Sequence, residues 1–124
     1  MGHLRDVEDL KVFQMAYAVS LEVHRASLSW PKVEQYGGVA DQVRRSSKAV
    51  CALLVEGSGR LRGSRQEFRR YLLMALGSAD EARLWCRYVE DLGYAEPAQT
   101  QQWRTTLSEV ARMLQGLVAR QEAS

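Results

Sequence analysis

Residues 64–93 read SRQEFRRYLLMALGSADEARLWCRYVEDLG, and this stretch decides the fold. Ser64-Arg65-Gln66-Glu67 has the S-x-x-E form of a capping box, in which hydroxyl and carboxylate satisfy backbone N–H groups that a helix start leaves open. Behind it Phe68, Leu72, Ala75, Ala79, Ala82, Cys86 and Val89 alternate steps of 4 and 3 for three heptads. That is the seam spacing of a helical bundle, and its small central residues admit a close neighbour. Gly93 marks the end.

The same periodicity extends outward in both directions. Downstream, Pro97 suits the first turn of a helix whose stripe is Trp103, Leu107, Val110, Leu114 and Leu117. Upstream, Gly37-Gly38 opens a helix with the stripe Val39, Val43, Ser46 or Ser47, Val50 and Leu54. It is expected to end at the glycines of residues 57–63, which supply left-handed cap and turn positions. From Asp6 to Leu28 the residues Leu10, Phe13, Tyr17, Leu21, His24 and Leu28 draw one further stripe, closed by Ser29-Trp30-Pro31. Strand alternation is weak throughout. The expectation is an all-α, antiparallel, up-down-up-down four-helix bundle, one domain over 1–124, with helices near 6–28, 39–57, 64–92 and 97–121. Short connections make consecutive helices antiparallel neighbours.

A chain of 124 residues with 46% apolar content and balanced charge is neither disordered nor in need of staples. Its longest uncharged stretch, Val12 to Leu21, is about half of what a bilayer helix requires, so no membrane role is expected. Cys51 and Cys86 lie far apart without metal-ligand spacing and read as core residues. The N-terminal residues lack a signal-peptide pattern, which points to the cytoplasm.

Catalytic constellations are not found. His24 sits on the apolar stripe of the first helix and His3 near the terminus, and no Glu-x-x-His motif supports a di-iron centre. Residues 57–63 miss phosphate-loop spacing and follow a helix rather than a strand. Paired carboxylates such as Asp80-Glu81 point about 100° apart. No enzyme activity, metal or cofactor is expected.

Charge distribution is the informative feature. Between Arg44 and Arg70 there are eight basic residues, Arg44, Arg45, Lys48, Arg60, Arg62, Arg65, Arg69 and Arg70, against Glu56 and Glu67, a local +6. The rest of the chain carries −4. Arginine's planar fork suits phosphate, so these eight are the candidate nucleic-acid-binding residues. The other reading is that they pair with acids of neighbouring helices. With almost no aromatic interleaved, binding would address backbone phosphate rather than base sequence.

A second line on the third helix, Tyr71, Met74, Ser78, Trp85 and Tyr88, suggests a subunit contact. The alternative is the edge of an ordinary wide stripe.

The order of Asp9-Leu10-Lys11-Val12-Phe13-Gln14, Trp30-Pro31, Glu34-Gln35-Tyr36-Gly37, Gln42-Val43-Arg44-Arg45-Ser46-Ser47, Val55-Glu56-Gly57 with Gly59-Arg60, Glu67-Phe68, Tyr71-Leu72 and Ala75-Leu76-Gly77-Ser78 resembles the four-helix-bundle family of 23S rRNA intervening-sequence proteins. The accessory protein of diversity-generating retroelements is similar to that family. Where the family has Asn-Ile-Ala-Glu-Gly, this chain has Leu53-Leu54-Val55-Glu56-Gly57. The resemblance implies a non-enzymatic homopentamer with a nucleic-acid-binding role, with Arg44, Arg45 and Arg60 on the family's basic positions. The function expected is therefore an oligomeric bundle binding RNA or DNA through phosphates. The alternative is a scaffold for a protein partner such as a reverse transcriptase.

Overall fold

The computed structural model of the chain describes residues 7–60 and 64–122, the side chain of Arg60 excepted. Four helices form the bundle: α1 Lys11–Ser27, α2 Val39–Arg60, α3 Arg65–Asp91 and α4 Pro97–Glu122, with a short 3-10 turn at Lys32–Glu34. No strand occurs among the described residues. Each helix packs on its neighbours in chain order and α1 closes on α4, while the diagonal pairs do not meet. This is the up-down-up-down arrangement, with α2, α3 and α4 sharing the more extensive contacts.

The two later helices follow their sequence patterns closely. In α3, Leu72, Ala75, Ala79, Ala82, Cys86 and Val89 are buried, and in α4 Trp103, Leu107, Val110 and Leu114 are. The Ser64 hydroxyl accepts from the Glu67 amide at 3.2 Å, giving one half of the capping box. The Glu67 carboxylate instead accepts from Arg70 at 3.1 Å. At the other end Gly93 has φ +77, its amide donates to Glu90 O and the Tyr94 amide to Val89 O. Those two bonds make a Schellman cap.

Helix α1 departs from expectation in two respects. Residues 7–8 are helical as expected, but the helix is interrupted and α1 itself starts at Lys11, because Leu10 is extended (φ −70°, ψ 136°). On an unbroken helix Val7 and Val12 would point about 140° apart, whereas the break lets both join the same core cluster. The inward face also differs. Val12, Ala16, Val23 and Ser27 are buried, whereas Leu10, Tyr17 and Leu28 are exposed, Tyr17 at 51%. The expected stripe is thus displaced by one residue, about 100° around the helix. The reason is volume: Trp30, Trp103 and Leu107 already occupy the space facing α1, leaving room for Val, Ala and Ser. Trp103, fully buried, donates its indole N–H to Glu22 of α1 at 3.1 Å, tying α1 to α4.

Helix α2 also runs further than expected, through Gly57 and Gly59 to Arg60. Gly57 is not a turn residue. A Cβ there would lie 2.7 Å from Tyr71 Cβ, so the missing side chain is what lets α2 and α3 approach. Beside it the Tyr71 hydroxyl donates to Glu56 at 3.2 Å.

Candidate nucleic-acid interface

The loop of residues 28–38 and the adjacent ends of α1 and α2 form the best-built polar site. Arg44 lies in the second turn of α2. Its Nη1 donates to the Ser27 hydroxyl (2.6 Å) and Gln35 Oε1 (3.1 Å), and its Nη2 donates to the Gln35 carbonyl (3.0 Å). Gln35 in turn donates to the carbonyls of Ser27 (2.8 Å) and Trp30 (3.0 Å). Glu34 accepts from the Val39 amide (2.8 Å), capping α2, and from the Tyr94 hydroxyl (2.7 Å). Those two donors hold its carboxyl below the usual range. Trp30 completes the frame beneath, with ring centroids 6.1 Å from Tyr94 and 6.4 Å from Trp103.

On this frame most of the positive charge is bonded to neutral groups. All the Arg44 bonds go to neutral groups, and Lys48 Nζ donates to His24 Nδ1 at 2.9 Å. Among the described residues no carboxylate forms an ion pair with Arg25, Lys32, Arg44 or Lys48. Burial, followed by the charges of Lys48, Arg44 and Arg25, pushes the His24 imidazole below its ordinary value, so its neutral form accepts from Lys48. Arg45 is 75% exposed and pairs with Asp41 at 3.0 Å, a surface contact of small energetic weight. Lys32, Arg44, His24, Leu28, Gln35 and Tyr36 line one groove of about 390 Å³.

The other arginines are placed differently. Arg65, Arg69 and Arg70 open α3 at the opposite end of the bundle, roughly 15–28 Å along the axis from Arg44 and Lys48, since Tyr71 lies level with Gly57. Arg69 pairs with Glu122 of α4 and Arg70 with Glu67, while Arg65 donates to Gln121 at 3.0 Å. Arg70 also lies over the Tyr71 ring, 4.9 Å from its centroid. Arg62 and the Arg60 side chain lie outside the described residues. Among the described residues, the run of charge that is continuous in sequence is therefore two regions in space: Arg44 and Lys48 bond neutral groups beside the Arg45–Asp41 pair, and at the other end Arg69 and Arg70 are paired with carboxylates. His24, Arg25, Lys32 and Tyr36 were missed because they lie upstream of that run, joined to it only by the packing of α1 on α2.

Of the aromatic line on α3, Met74 and Tyr88 are exposed, Ser78 and Trp85 half-buried, and Tyr71 buried. Trp85 donates to Glu81 at 3.1 Å and packs tilted against Tyr88, with ring centroids 5.4 Å apart. Leu73 and Leu84 are exposed on the same helix, and Leu92 just beyond its end, and none of them was part of that line. Among the described residues no group of His, Cys, Asp or Glu is arranged to hold a metal, and no helix is long and apolar enough to cross a membrane.

The sequence profile of a family described as 23S rRNA-intervening sequence protein matches residues 8–116. Among solved structures, a protein of unknown function from the S23 ribosomal protein family of Bacteroides thetaiotaomicron is similar to this chain. It shares 17% sequence identity and a TM-score of 0.74, over 86% of this chain and 97% of the other. No curated protein matches.

Proposed function

The chain belongs to the 23S rRNA-intervening sequence protein family, and on that premise we propose that it is a non-enzymatic, self-associating helical bundle of the cytoplasm that binds RNA or DNA through phosphates. The observation that carries this reading is that Lys48, Arg44 and Arg25 all act on His24 while, among the described residues, none of the three is in an ion pair with a carboxylate. Lys48 and Arg45 of α2, with Lys32 and Arg25, supply the phosphate contacts, and Arg44 holds the surface that presents them. Arg65, Arg69 and Arg70 form a second contact region at the far end, where Glu67 and Glu122 reduce the charge, and Arg60 and Arg62 are further phosphate contacts proposed from the sequence alone.

Filter binding across a salt series tests it. Four or so phosphate contacts predict an affinity falling roughly 50- to 150-fold between about 50 and 200 mM salt. Absence of retention at low salt rejects the proposal.

A second reading, a scaffold for a protein partner, draws on the exposed Leu84 (50%) and Tyr88 (48%) of α3 beside Met74. The same face suits self-association, which light scattering at micromolar concentration checks; a monomer there counts against it. Charge reversal of Arg45 and Lys48 separates the readings, since a scaffold using α3 tolerates it.

A further inference from the structure

Tyr36 is the most exposed large hydrophobic residue among the described residues, at 89%, and it lines the same groove as Lys32, Arg44 and His24. An aromatic ring left in water on a loosely held loop would mean little. This one is flanked on both sides by fixed backbone. Gln35, before it, is bound to Ser27, Trp30 and Arg44. Gly37, after it, has φ +78 and donates its amide to Asp41 at 2.7 Å. The ring is thus presented outward on an ordered support, so stacking a partner on it requires little further ordering of the loop. Leu28, also exposed, lines the same groove and adds apolar surface.

We infer that this groove takes single-stranded nucleic acid, with an unpaired base stacked on Tyr36 and the adjoining phosphate held by Lys32 and Lys48. The inference rests on the phosphate-binding reading and sharpens its ligand class. Cations that track a backbone next to an aromatic platform are the arrangement that holds single strands. A duplex hides its base faces and offers Tyr36 nothing to stack on. Because every base has a π-face, the groove discriminates strandedness rather than sequence.

Fluorescence anisotropy with a labelled single-stranded RNA of about 12 nucleotides, alone and annealed to its complement, tests this at low salt. The expected result is tighter binding of the single strand. Tyr36→Ala lowers that affinity roughly ten-fold, leaves duplex affinity and the salt slope unchanged, and is rescued by Tyr36→Phe. Lys48→Glu weakens both ligands and flattens the salt slope. Tyr36→Ala without effect on the single strand, or with equal loss on both ligands, overturns the inference while salt-dependent binding keeps the phosphate reading intact. Absence of binding to either ligand overturns both.

Discussion

Arg44 Nη1 sits 2.6 Å from the hydroxyl of Ser27, so a residue conspicuous for its charge joins the end of α1 to the start of α2 across the intervening loop. Its fork of two nitrogens reaches three acceptors, which a lysine's single nitrogen does not reproduce. Arg44→Ala is expected to cost about 1–3 kcal/mol, and Arg44→Lys nearly as much. A urea midpoint lowered at constant slope, with faster amide exchange in residues 28–38, checks this.

The close approach of α2 to α3 at Gly57 predicts opposite outcomes for two neighbouring glycines. Gly57→Ala forces a Cβ to 2.7 Å from Tyr71 Cβ and is expected to destabilise by about 1–3 kcal/mol despite the better helix former. Gly59 is helical with nothing within 4 Å of its would-be Cβ, so Gly59→Ala is expected to stabilise by about 0.5–1 kcal/mol. Thermal melts of the pair read the contrast.

His24 has a folded-state pKa below its ordinary 6.5, through burial first and then Lys48, Arg44 and Arg25. The unfolded chain therefore takes up a proton at a higher pH than the folded one. Stability is full above pH 6.5 and declines as pH falls from there toward the lowered folded value. His24→Gln removes this part of the acid slope. If phosphate binds here, it offsets the surrounding cations and raises the His24 pKa. Nucleic-acid affinity then increases as pH falls from about 7 to 6 in the wild type and not in His24→Gln.

Cys51 and Cys86 are buried thiols whose pKa values burial raises to about 11 and about 12. Neither forms thiolate near neutrality, so both are expected to resist a disulfide reagent at pH 8 in the native protein. Both react once urea unfolds the chain. Fast labelling of either thiol in the native state contradicts the packing around it.

How far the sequence could be read depended on which residues had to be compared. The Ser64 cap, the Gly93 stop and the stripes of α3 and α4 are legible because they arise from residues three or four positions apart. The face of α1 was misassigned by one residue. Its two stripes have the same spacing, and size favoured Phe13 and Tyr17 over Val12 and Ala16. Gly57 read as a stop because glycine composition alone does not distinguish a turn from a place where another backbone comes close.

Four helices and their ends are properties of local chemistry: apolar period, caps, and the restriction that proline and glycine place on the backbone. The occupant of the α1 groove, and which arginines remain open, depended on volumes and charges brought in from afar. Trp103, 81 residues beyond Glu22, and Glu122, 53 beyond Arg69, are examples. Packing density and charge pairing act across space. They split one basic run between two ends of the bundle, with Arg69 and Arg70 paired to carboxylates at one and Arg44 lining a groove with Tyr36 at the other.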